Sequence, residues 1–104
     1  MQIDLDLNRR VTVWRYTVSQ SQLVLMSTND VGEYPTRWYA VLKGVRFISM
    51  PTDFVCQRIK SVPLEAETRF EFTSDRGVFH VVAYTLSHAE DDGPYSAPIL
   101  FSLT

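Results

Sequence analysis

Cysteine is nearly absent from the chain: Cys56 stands alone. An internal disulfide is therefore impossible, and so is a paired-thiolate metal site. Only two histidines occur, His80 and His88. Eight residues of extended chain would hold them roughly 26 Å apart, so a shared metal would need a sharp bend between them. Four glycines are scattered along the chain. They form no phosphate-cradling loop, and no Gly-x-Ser-x-Gly elbow marks a nucleophilic serine. No apolar run approaches the length that spans a bilayer. Met1 to Arg10 interleaves acids with apolar residues and ends in two arginines, the reverse of a secretory leader. These absences predict a cytoplasmic protein that folds without a cofactor or metal and does not enter a membrane.

What is present suits a globular domain. The 104 residues match the size of one domain, and 45% hydrophobic against 21% charged residues is enough to close a core. The net charge of −2 conceals an asymmetry. Residues 1–60 carry eight Lys/Arg and five Asp/Glu, while residues 61–104 carry two and seven. Two halves that pack together interleave such charges. The alternative is a basic patch for an anionic partner, but the basic residues are dispersed and the whole is mildly acidic, which argues against nucleic acid.

The apolar pattern has period two over most of the chain. Ile3, Leu5 and Leu7 alternate with Asp4, Asp6 and Asn8, and Asn8 to Arg10 reads as a turn into a second strand over Val11–Ser19. Leu23 to Met26 is a short continuous apolar run, expected for a strand covered on both faces. Thr36 to Met50 is apolar and β-branched around Lys43–Gly44. It reads as one long strand bulged at Gly44, or as two strands, with Trp38, Ala40, Leu42, Val45 and Phe47 on one side. The segment from Pro51 to Pro63 places Val55, Ile59 and Val62 at helical spacing behind a Thr52 cap, which predicts one short helix near residues 52–61 or an ordered loop. Residues 64–73 alternate glutamates with apolar residues. The turn set Ser74–Gly77 and a doubly apolar strand over 78–86 complete a hairpin. Residues 87–98 read as a loop, and Ile99, Phe101 and Leu103 as a closing strand. Seven or eight short, mainly antiparallel strands predict a single all-β domain over residues 1–104, arranged as a small sandwich or barrel.

Each group capable of chemistry also has a structural reading. Glu90, Asp91 and Asp92 lack the alternate spacing of a calcium loop. Glu65, Glu67 and Glu71 share a strand face with Arg69, as a solvated face does, although a carboxylate pair opposed across a cleft can run general acid–base chemistry. Cys56 sits between Val55 and Gln57, where a small packed residue is expected. The surplus is aromatic. Tyr34, Arg37, Trp38 and Tyr39 combine, next to a loop, the residue types enriched at interface centres. The sequence therefore predicts a non-catalytic binding or assembly domain working through protein–protein contacts at Tyr34, Arg37, Trp38 and Tyr39, with a protein partner or a homodimer. A small hydrolase or ligand-binding barrel using His80 with a nearby carboxylate is the alternative.

Overall fold

The computed structural model describes residues 2–28 and 34–92. Strand β1 spans Asp4–Thr17 and a single 3₁₀ turn follows at Val18–Gln20. The remaining strands are β2 Gln22–Ser27, β3 Arg37–Lys43, β4 Phe47–Ser49, β5 Asp53–Pro63, β6 Thr68–Ser74, β7 Gly77–Ala83 and β8 Thr85–Asp91. All eight join in one antiparallel sheet of order β4-β7-β6-β5-β1-β2-β3-β8. None of the described helical structure is long and apolar enough to cross a membrane.

The all-β, antiparallel expectation holds; the sandwich or barrel does not. Among the described residues the sheet is open, with β4 and β8 at its two ends and no ladder between them. Alternation reports that one face is buried, and it cannot say whether that face is covered by a second sheet, by closure or by the curl of the same sheet. Here the curl does it. Val11 of β1, Leu25 of β2, Trp38 and Leu42 of β3, Ile59 of β5, Phe70 and Phe72 of β6, Val81 of β7 and Leu86 of β8 meet in one cluster. Each such side chain contributes roughly 1.5–3 kcal/mol on leaving water.

Bulges supply the curvature and also explain where the sequence pattern misleads. An extra residue between Asp6 and Arg9 shifts β1 against β5, with Asn8 in the left-handed region at φ 55°. The turn predicted at Asn8–Arg10 is thus a kink inside one 14-residue strand. A second shift, between Cys56 and Arg58, lies in β5. It corrects the helix predicted near residues 52–61: Phe54 and Cys56 face the core, two exposed residues follow, then Ile59 and Ser61 face inward. One inserted residue breaks the period of two and leaves a spacing that mimics a helix.

Two strands, not one bulged strand, occupy the Thr36–Met50 region, with Gly44 at φ +67° between them. Trp38, Ala40, Leu42 and Val45 reach the core as expected, but Phe47 is 51% exposed. The Leu23–Met26 run is buried on both faces, as predicted. The hairpin of β6 and β7 turns at Asp75–Arg76 into Gly77, whose φ of +124° no other residue adopts comfortably. Its first arm begins at Thr68, after a turn closed by the Leu64 N–H donating to the Glu67 carbonyl. The expected loop over 87–98 is in its first part a strand, because β8 runs to Asp91 in register with β3. The closing strand expected at 99–103 lies outside the described residues.

Candidate functional site

The curl brings the first half of β1 close to β8, and a groove of about 300 Å³ opens between them. Leu5, Asp6, Leu7 and Arg9 line it from β1, Trp38 from β3, and His88, Ala89 and Glu90 from β8. Its geometry follows from pairing. Leu5 stands opposite Ile59 and Arg9 opposite Cys56, both core-facing, so Leu5 and Arg9 also turn inward. Ala40 stands opposite His88 and Trp38 opposite Glu90, so His88 and Glu90 share the inner side of β8 with Trp38 on β3.

Arg9 anchors one end of the groove. Its Nε donates to Ser27 Oγ at 2.9 Å and its Nη1 to Thr36 Oγ1 at 3.1 Å, while Nη2 donates to the carbonyls of Thr36 and Ser27. Glu90 Oε2 lies 3.6 Å from Nη1 and also accepts the Thr36 hydroxyl. The guanidinium packs 4.4 Å above the Tyr34 ring, a cation–π contact. Burial pulls the Arg9 pKa below its ordinary value, and Glu90 and Tyr34 oppose that shift. Every nitrogen of this arginine is engaged by the protein, so Arg9 shapes the groove more than it offers charge to a ligand.

Trp38 and His88 form the inner wall. The Trp38 indole N–H donates to His88 Nδ1 at 3.4 Å, with ring centroids 6.1 Å apart. Accepting at Nδ1 places the proton of a neutral His88 on Nε2. His88 is solvent-exposed and Trp38 is buried. The groove therefore offers apolar walls from Leu5, Leu7 and Trp38, with an imidazole and the Glu90 carboxylate at its margin.

The residues singled out from the sequence do not form one patch, because a strand sends neighbours to opposite faces. Trp38 lines the groove. Arg37 and Tyr39 lie on the other face, where Arg37 grips Asp91 with Nε to Oδ1 at 3.1 Å and Nη2 to Oδ2 at 2.8 Å. The Tyr39 hydroxyl donates to Asp91 Oδ2 at 3.3 Å, and its ring lies under the guanidinium. Arg37, Trp38 and Tyr39 are all buried, and Tyr34 packs on Arg9.

His80 does have a carboxylate beside it. Its Nε2 is 3.9 Å from Glu71 Oε2, directly across the β6–β7 ladder. Both are half-buried on the sheet face opposite the core, and Arg69 Nη2 holds the same Glu71 oxygen at 3.2 Å. Glu67 is taken by Arg46 at 2.7 Å. Glu90 and Asp91 diverge, one to Arg9 and the other to Arg37. Among the described residues no three His, Cys, Asp or Glu side chains are grouped to hold a metal. Burial pushes the Cys56 thiol up to about 11, against a weaker opposing effect of the Arg58 backbone, so it is a poor nucleophile at neutral pH.

Sequence reasoning missed His88 with Glu90. Their spacing of two is a shared-face signal only once residues 85–91 are read as a strand, and the run of acids there suggests a loop instead. Compared with known proteins, the chain matches no family model, no curated protein and no solved structure.

Proposed function

We propose that this chain is a ligand-binding domain whose site is the groove between β1 and β8. The observation that supports it is the pairing of an apolar wall with a polar margin in one concavity: Leu5, Leu7 and Trp38 beside His88 and Glu90. Sites of this composition take a ligand's apolar body against the wall and fix its orientation with a few polar groups. His88 is the hinge of the arrangement, since Nδ1 is held by the indole and Nε2 is left to face a ligand. A lone, buried cysteine fits a reducing, cytoplasmic setting.

Trp38 is the natural reporter. In a Trp14→Phe background the remaining indole emission belongs to Trp38. A ligand in the groove will change that emission and raise the melting temperature together. His88→Ala, at an exposed position, will weaken binding while leaving the unliganded melting temperature within a degree or two, since surface changes cost little. If a broad panel of small molecules and peptides moves neither signal, the reading fails.

A hydrolytic role for His80 with Glu71 is the second reading, favoured by their 3.9 Å separation alone. Arg69 competes for the same carboxylate, and neither His80 nor Glu71 lines the groove. His80→Ala abolishing a measured hydrolysis would establish it over the first.

A further inference from the structure

We infer that a second hollow, on the sheet face away from the core at the start of β5, binds a free α-amino acid with an apolar side chain. It shares no residue with the groove between β1 and β8 and does not depend on it. The hollow holds about 240 Å³ and is lined by Arg10, Asp53, Phe54, Val55, Asp75 and Arg76. Pairing sets its geometry. Arg10 stands opposite Val55 and Thr12 opposite Asp53, while Val11 and Phe54 between them are buried in the core. Arg10, Val55 and Asp53 therefore share the outer face. Ser74 pairs with Cys56 of β5 and with Gly77 of β7, so the turn residues Asp75 and Arg76 stand beside the start of β5.

Two guanidiniums and two carboxylates meet here with bonding groups still open. Arg37, Arg46 and Arg58 give their forks to carboxylates at 3.1 Å or closer. Arg10 does not. Its Nε is 3.6 Å from Asp53 Oδ1, beyond hydrogen-bond reach, and among the described residues its guanidinium donates no hydrogen bond. Arg76 uses only Nη2, on the Asp53 carbonyl at 2.9 Å. Asp75 Oδ1 accepts from Ser74 Oγ at 3.0 Å and Asp53 Oδ1 from Thr12 Oγ1 at 3.3 Å, which leaves the second oxygen of each for a donor. A plain anion would face both acids, and a plain cation both arginines. A ligand with one charge of each sign meets an opposite charge at either end, its carboxylate on the Arg10 fork and its ammonium on Asp75. Val55 is 42% exposed between them and seats an apolar side chain. An α-amino acid carries these three groups on one carbon.

The test titrates the isotope-labelled full chain with L-leucine, with 4-methylpentanoate, which lacks the ammonium, and with 3-methylbutylamine, which lacks the carboxylate. Leucine will shift the Val55, Asp75 and Arg76 amides and the Arg10 Nε–H signal. Each analogue will bind about two- to fivefold more weakly, as expected for the loss of one exposed ion pair. Arg10 and Asp75 are exposed, so Arg10→Gln and Asp75→Asn will leave the melting temperature unchanged. Arg10→Gln will erase leucine's advantage over the amine, and Asp75→Asn its advantage over the acid. Equal binding of the acid by the wild-type chain makes the hollow a simple anion site and overturns the inference, and equal binding of the amine overturns it from the other sign. Leucine that shifts no amide of the hollow, or shifts Leu5, Leu7 and Ala89 of the groove instead, also overturns it.

Discussion

The ring of Tyr84 lies against the α-carbon of Gly44 so closely that a Cβ there would sit 2.4 Å from Tyr84 Cδ2. This contact marks the corner where β3 passes to β4 and β7 passes to β8. The Tyr84 N–H donates to the Lys43 carbonyl, and the Arg46 N–H to Val82, so the two strand pairs stay in step through the bend. Gly44→Ala meets both the ring and the positive φ of +67°. It is expected to cost roughly 1–3 kcal/mol by urea unfolding. Tyr84→Ala in the same chain will recover the steric part of that loss and leave the backbone part, which a double-mutant cycle separates.

Arg37 is 1% exposed and doubly bonded to Asp91. Arg37→Met leaves the Asp91 carboxylate without the guanidinium that grips it and will destabilise the fold by about 3–5 kcal/mol in denaturant titration. Arg37→Lys keeps the charge but not the two-pronged geometry, so it will recover only part of that loss. A melting temperature unchanged in Arg37→Met would show that the pair contributes nothing.

Cys56 couples stability to alkaline pH. Its thiol titrates at about 11 in the folded chain against 9.0 for an exposed thiol. The folded state holds the proton more tightly, so this contribution is complete below about pH 9 and is lost as pH rises toward 11. A two-unit difference corresponds to at most about 2–3 kcal/mol. Cys56→Ala will flatten that alkaline slope, and wild-type Cys56 will react with a disulfide reagent at neutral pH only after unfolding.

Asp4 does the opposite on the acid side. Arg58 donates to both its oxygens, at 2.7 and 2.6 Å, and holds the carboxyl below its usual value. Its contribution is complete above the ordinary carboxylate pKa near 4 and fades as pH falls through the lower folded value. The pair is solvent-exposed, so the effect is small and will weaken with salt. Asp4→Asn will shift the onset of acid unfolding toward neutral pH; an identical acid limb in 1 M salt and in dilute buffer would argue against this origin.

Much of the candidate site was hidden from sequence reading for one reason. The groove joins residues 5–9 to residues 88–90, which no local pattern links. Leu5 and Leu7 are legible as inward-facing from their alternation with acids. That they face His88 depends on how far the sheet curls, and the curl depends on bulges at Asn8 and at Cys56–Arg58. Tyr34, Arg37, Trp38 and Tyr39 stand out in the sequence by residue type alone. Pairing then divided them, sending Trp38 to the groove and Arg37 and Tyr39 to Asp91 on the far face.

By itself the sequence determined that the chain is mainly antiparallel strand, the burial of both faces of β2 and the inward set Phe70 and Phe72 of the β6–β7 hairpin. These follow from steric alternation within a few residues of chain. Tertiary structure alone decided that the sheet stays open, that residues 53–63 are a strand, and that β8 lies beside the start of β1. Those outcomes turn on single inserted residues and on pairings between distant segments, and both are set by the free energy of the assembled core.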